Sequence, residues 1–262
     1  MKKLLFYLSV LGLLMVYFNA AAQDVSIGVR GGISIPNLTA GGSEQNPLNT
    51  GYSSRQGPDF GLYGEFRISE LFSIEPMLEY SSQGGKKDGL QAVPGEQFSE
   101  YFEETHQSTP TYVYANYNSE AKLNYLMVPV LAKFGWALGK ASPWRFYADA
   151  GPFAGFLLNA HQVTSGTSEV YSDPAGTQAE PGLPAQNFGG SNGNTDIKPQ
   201  LHTFDLGIEG NLGFSYKIKR SSIFIEGGGN YGFLNIQKGT ANGKNNTGAA
   251  TADIGYALGF GK

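Results

Sequence analysis

Apolar and polar residues alternate with a period of two in eight stretches of this chain, the pattern of strands whose two faces meet different surroundings. In residues 25–35, VSIGVRGGISI, the face of Val25, Ile27, Val29, Ile33 and Ile35 is apolar, and Arg30 stands on the other with Ser26 and Ser34. Next, Phe60, Leu62, Phe66 and Ile68 oppose Asp59, Tyr63, Glu65 and Arg67, and then Ile74, Pro76, Leu78 and Tyr80 oppose Glu75, Met77 and Glu79. The fourth stretch, LNYLMVPVLAKFGW (residues 123–136), sets Leu126, Val128, Val130, Ala132, Phe134 and Trp136 against a face that carries Lys133. The fifth alternates Trp144, Phe146, Ala148 and Ala150 with Arg145, Tyr147 and Asp149. In the sixth, Phe204, Leu206, Ile208, Leu212 and Phe214 oppose Asp205, Glu209 and Asn211. Ile223, Ile225, Tyr231 and Phe233 then oppose Glu226 and Asn230, and Ile254, Tyr256, Leu258 and Phe260 oppose Asp253.

Short turns near residues 70, 141 and 219 alternate with longer segments near 46, 102, 180 and 242, which are rich in Gly, Ser, Asn and Pro or otherwise polar. Residues 83–121 and 159–199 are expected to be long loops, the first with a far arm extending a strand beyond the membrane and the second of low complexity and partly disordered. This short and long alternation fits an all-β, eight-stranded antiparallel up-and-down transmembrane β-barrel with short periplasmic turns and long extracellular loops. A strand of about eleven residues at ~3.4 Å each, tilted by ~40°, covers roughly 28 Å, close to the apolar band such a barrel presents to lipid.

The face opposite the apolar one decides the direction of the barrel. It gathers Arg30, Arg67, Lys133 and Arg145 with Asp59, Glu65, Glu75, Glu79, Asp149, Asp205, Glu209, Glu226 and Asp253. Side chains just fill an eight-stranded lumen, so these groups are expected to form a buried charge network in place of an open channel. Seven glycines on the same face, at 28, 32, 61, 207, 213, 228 and 232, are expected to leave room for the long charged chains.

Composition narrows the setting. Lys2 and Lys3, an apolar run from Leu4 to Phe18 and then Ala20 to Ala22 have the parts of a cleaved secretory signal peptide, so residues 1–22 are set apart and 23–262 taken as one barrel domain. The chain has no cysteine, which excludes disulfides and thiolate metal sites. A net charge of −4 offers no basic stripe for nucleic acid. The mean hydropathy of −0.24 does not argue against a membrane, since a barrel shows lipid only every second residue.

Candidate chemistry is sparse. Of His106, His161 and His202, two fall in expected loops, and His202 lies on the opposite face of its strand from Asp205, which disfavours a catalytic pair. No Asp, Glu or His spacing matches a metal site and no phosphate loop precedes a helix, so no catalytic residue, metal or cofactor is expected. The alternating Tyr112, Tyr114 and Tyr117 form a candidate partner-binding loop.

The GVRGG of residues 28–32, the LNYLMVPVLAKFGW stretch, the YADAGPFAGFLL of residues 147–158 and the glycine-patterned last three strands resemble the PorT-like outer-membrane β-barrel family of the Bacteroidota. Phe260 looks like the terminal aromatic by which outer-membrane proteins reach their insertion machinery, although Gly261 and Lys262 trail it. The resemblance implies an outer-membrane location in a Gram-negative cell and assigns no residue a role. The expected partners are outer-membrane lipid and, through the external loops, other envelope or secretion proteins. Three functions are expected in order: a non-enzymatic barrel that anchors or binds through its loops, an accessory component of protein secretion, and an outer-membrane hydrolase.

Overall fold

The computed structural model describes residues 24–40, 47–48, 51–190, 193–239 and 243–260; the expected signal peptide, residues 1–22, lies outside the described residues. Eight long strands carry the alternating stretches: β1 (Asp24–Pro36), β2 (Gly57–Arg67), β3 (Phe72–Pro94), β4 (Tyr112–Ala137), β5 (Trp144–Ser165), β6 (Phe204–Ile218), β7 (Ser221–Gly232) and β8 (Gly248–Gly259). Each pairs antiparallel with the next. The last returns to the first, with Ile27 opposite Leu258 and Arg30 opposite Gly255. The sheet therefore closes on itself, and closure removes the unpaired edges that an open sheet would expose.

The outside is apolar and bare. Val29, Leu62, Val130, Leu212 and Ile254 are all exposed, the last at 65%. Rings gather at both rims. At the short-turn end Trp136 stacks with Phe146, Phe146 meets Phe214, and Trp144 meets Tyr216, while Phe156 with Phe204 and Tyr231 with Phe233 mark the loop end. Two aromatic girdles around an apolar band are what lipid and its two interfaces select. No described helix is long and apolar enough to cross a membrane. Phe66 is an exception among the outward residues: its ring lies over Gly64 and is only 4% exposed.

Of the two segments expected as long loops, the first is largely strand, its far arm extending β4 as expected, and the second is strand in part. β3 and β4 stay paired from Ser82 opposite Asn124 out to Pro94 opposite Tyr112, so residues 83–94 and 112–121 are a two-stranded arm and not a loop. The arm adds no strand to the barrel; it lengthens two. Polar side chains do not end a strand when the backbone groups still find partners. A short helix, α1 (Ser99–Glu104), caps the arm, and its Phe102 is buried with Val93, Val113, Ala115 and Val170 in a small core of its own. Likewise β5 continues to Ser165, and Val170 and Tyr171 pair with Ala115 and Tyr114, so residues 159–199 also carry ordered strand pairing.

A register shift divides β5 into a lower and an upper part. Asn124 faces Asn159 but Tyr125 faces Leu157, so β5 has one residue too many at Leu158. Below this bulge the inward residues of β5 are odd, Tyr147, Phe153 and Leu157 being buried; above it Ala160 is buried while Leu158 and Asn159 are exposed. The bulge turns the upper part of β5 by one face.

Candidate functional site

Three layers of side chains fill the barrel. In the middle one Arg30, projected from β1, donates to Glu79 at 2.7 Å, Glu209 at 2.8 Å and Glu226 at 2.9 Å, carboxylates from β3, β6 and β7. Neutral donors join the layer. Asn211 reaches Asp149 at 3.0 Å and Glu209 at 3.1 Å, Tyr147 donates to Glu226 at 2.7 Å, and Ser81 donates to Asp59 at 2.9 Å. Asp253, on β8, is buried beside them. A guanidinium suits this place because its fan of fixed donors meets several carboxylates at once.

Toward the short-turn end, Lys133 lies 2.8 Å from Glu75 and 3.6 Å from Glu65, with its ammonium 4.3 Å from the centre of the Tyr147 ring. Arg67 is looser, at 3.7 Å from Asp24 and 4.0 Å from Glu65. Arg145 stands apart from the carboxylates. It donates to the carbonyl of Glu70, in the turn between β2 and β3, and to that of Gly135 near the end of β4, tying the turn to the strand at the mouth. A cavity of about 310 Å³ opens there, lined by Lys133, Arg67, Arg145 and Lys217 among others.

Toward the loop end the filling becomes apolar. Leu38, Leu123, Tyr125, Met127, Phe153, Leu157, Leu201 and Ile236 pack into one buried cluster. Asp205 sits at its edge, accepting from Thr247 at 2.6 Å and from the backbone N–H of Leu206 at 2.8 Å. The inward glycines make room, but for rings as much as for charges. A Cβ at Gly28 would strike Tyr63, one at Gly213 Tyr147 and one at Gly207 Phe153, whereas one at Gly61 would meet Arg30 and Met77. His202 is exposed and precedes β6, while Asp205 is fully buried, so the two are not brought together. Among the described residues no three of His, Asp and Glu are placed to hold a metal ion.

Above the apolar layer a second cavity of about 550 Å³ lies between the arm, the upper part of β5 and the segments that come after it in the chain. It shares no lining residue with the lower cavity, and Arg30, Glu79 and Glu209 are at most 5% exposed between them. Leu38, Leu123, Leu201 and Ile236 form its floor. Lys87 projects into it from β3, donates to the carbonyl of Leu48 at 2.6 Å and lies 4.5 Å from the centre of the Tyr52 ring. Burial pushes the Lys87 ammonium down to about 8, and burial likewise pushes the Tyr117 hydroxyl up to about 12. The candidate tyrosines divide here. Tyr117 lines the cavity and stacks on Phe188 with ring centres 4.2 Å apart, while Tyr114 pairs with Tyr171 and Tyr112 with Pro94 along the arm.

Several residues of this cavity were hidden in the sequence. Lys87, Gln162, Thr164 and Phe188 all fall in segments whose composition reads as loop. Arg55 was hidden in the same way; it donates to Glu120 at 2.8 Å and to the carbonyl of Gln83 at 2.9 Å, bracing the base of the arm. Burial works against the Glu120 carboxylate, but hydrogen bonds from Arg55 and Lys122 outweigh it and hold the group below its usual range.

A family model described as an outer membrane protein beta-barrel domain matches residues 21–238. The chain belongs to this family. Its apolar band and two girdles are thus the outer-membrane crossing of a Gram-negative cell, and the arm and upper cavity of this outer-membrane barrel stand at the end of the long loops. Among curated proteins no sequence matches it. Similar solved structures include OprG of Pseudomonas aeruginosa, at 11% identity and a TM-score of 0.38, covering 92% of this chain and 99% of that one. Neisserial surface protein A has 11% identity and a TM-score of 0.40 over 88% and 96% of the two chains. Ail, the attachment invasion locus protein of Yersinia pestis, has 10% identity and a TM-score of 0.36 over 90% and 99%.

Proposed function

We propose that this outer-membrane barrel is a non-enzymatic binding protein whose lumen is sealed and whose working surface is the arm and cavity at the loop end. One observation carries this reading: a 550 Å³ cavity opens above a lumen stoppered by the Arg30 cluster and an apolar layer. A pore would need a continuous polar path, and an enzyme would need an acid, base or nucleophile in a cleft. The upper cavity offers amides, rings, the hydroxyls of Ser119, Thr164 and Thr195 and one lysine, and no carboxylate or imidazole is among its described lining residues.

Purified protein placed in a planar bilayer is expected to give no large stable conductance. A steady channel of porin size would replace the binding role with a transport one. The GVRGG and LNYLMVPVLAKFGW stretches support the proposal that the chain is akin to the PorT-like barrels of the Bacteroidota, with residues 1–22 proposed as its cleaved signal peptide. That placement brings a second reading, an accessory part in protein secretion, with other envelope or secretion proteins as partners. Deletion of the gene with export of client proteins left intact would remove it.

A further inference from the structure

We infer that the upper cavity is a binding site for a short saccharide, neutral or carrying a single negative charge, taken up from outside the cell. The inference rests on the loop end being the working surface and adds the chemistry of its ligand. The volume of about 550 Å³ lies within the range of sites built for small ligands.

The lining selects the class. Amide side chains dominate the polar part, with Gln91, Gln97, Gln162, Gln186, Gln200 and Gln237 all facing the cavity. An amide offers two donors and two acceptor lone pairs, which suits neighbouring hydroxyls that both give and accept hydrogen bonds. Two of these amides are held in place by the strands. Gln91 donates to the carbonyl of Tyr117 at 2.6 Å and Gln162 to the hydroxyl of Ser119 at 3.0 Å, each bond using one of the four positions. Orienting groups before the ligand arrives lowers the cost of binding.

Flat apolar surface stands beside the amides. The rings of Tyr52, Phe98, Tyr117 and Phe188 line the cavity, and the stacking of Tyr117 on Phe188, within 10° of parallel, makes a rigid double platform. The C–H face of a pyranose ring packs on such a platform while its hydroxyls point to the rim. Charge is scarce, because among the described lining residues Lys87 alone is charged. One cation accommodates one carboxylate or sulfate and not a polyanion. A hydrocarbon would strip water from six amides and give nothing back. An extended peptide gains its affinity from a free strand edge. Here β4 already pairs with residues 163–165 and 170–171, and Lys86 of β3 bridges to Ser53.

The test uses the whole barrel in lipid nanodiscs. It is probed with an array of defined gluco-, galacto-, manno- and N-acetylhexosamine oligosaccharides, each present in neutral form and ended by one uronic acid, and hits are titrated by calorimetry. At least one oligosaccharide is expected to bind. The double variant Gln200→Ala, Gln237→Ala, on segments outside the barrel strands, should weaken a hit by about tenfold while the heat-dependent gel shift of the folded barrel stays unchanged. Lys87→Met should weaken the uronic acid form by about tenfold and leave its neutral counterpart within about twofold. Failure of every oligosaccharide to bind a correctly folded barrel overturns the inference, as does equal binding by wild type and the double variant. Binding by a parallel short-peptide array alone assigns the cavity to peptides and overturns it too. A silent bilayer recording together with an empty array rejects the saccharide and keeps the binding role, whereas a large channel rejects the binding role itself.

Discussion

A side chain at position 133 meets Glu75 at 2.8 Å and the Tyr147 ring at 4.3 Å, whereas one at position 130, on the other face of the same strand, is 45% exposed to lipid. The two sites therefore answer oppositely to charge. Lys133→Leu leaves Glu75 buried without its cation and is expected to cost on the order of 3–5 kcal/mol. Val130→Lys puts an ammonium into the apolar band at about 2–4 kcal/mol near the midplane. Both should lower the temperature at which the folded band is lost in a heat-modifiability gel, and tolerance of both changes would contradict the assignment of faces. Lys87 answers to pH instead. Its ammonium lies at about 8 in the folded chain against 10.5 for the free side chain. Between those values the unfolded chain holds a proton that the folded one has released, so stability rises with pH across that window. Tyr52 and Tyr117, which line the cavity with it, are both pushed up by burial. Affinity for a singly anionic saccharide should then fall as pH is raised through about 8, while that for its neutral counterpart holds, a difference calorimetry at pH 7 and 9 would show.

Among elements, legibility depends on what a strand touches. Where lipid covers one face, apolar residues must recur at every second position, and β1, β2 and the lower halves of β3 to β5 could be read from that pattern alone. So could the inward placing of Arg30, Lys133 and the carboxylates around them. Beyond the membrane no face must be apolar, the period of two fades, and the upper halves of β3, β4 and β5 read as loop although their backbones stay paired. The cavity was illegible for the same reason, as its lining comes from those upper halves and from the segments that cross them. Arg145 was legible as an inward residue but not as one bound to carbonyls, since backbone partners leave no trace in periodicity. Gly84 marks the change from barrel to arm. Its φ is +118°, and a Cβ there would collide with the carbonyl of Ala121. Gly84→Ala should loosen the arm and spare the barrel. Hydrogen exchange is expected to quicken at residues 86–94 and 112–119 with little change in β6 to β8, and uniform protection would show that the strain is absorbed locally.

For the molecule as a whole, the Arg30 cluster binds β1, β3, β6 and β7 across the lumen and so fixes which sides of the barrel face each other. Arg30→Met alone leaves three carboxylates without their shared cation and should destabilise strongly, on the order of 3–5 kcal/mol. Adding Glu79→Leu, Glu209→Gln and Glu226→Gln should restore most of the melting temperature, because an uncharged filling of similar volume no longer has to desolvate ions. A quadruple variant as weak as the single one would show that the ion cluster is needed for its own sake. The extra residue at Leu158 bears on how such a protein diversifies. Removing a single codon there would let Asn159 follow Leu157 directly and keep every pair from Asn124 with Asn159 to Asn118 with Ser165, so Gln162 and Thr164 would stay in the cavity wall with the barrel below untouched. A lineage could thus lose or regain a residue at this place by an in-frame change, without altering its external site or passing through a broken membrane domain.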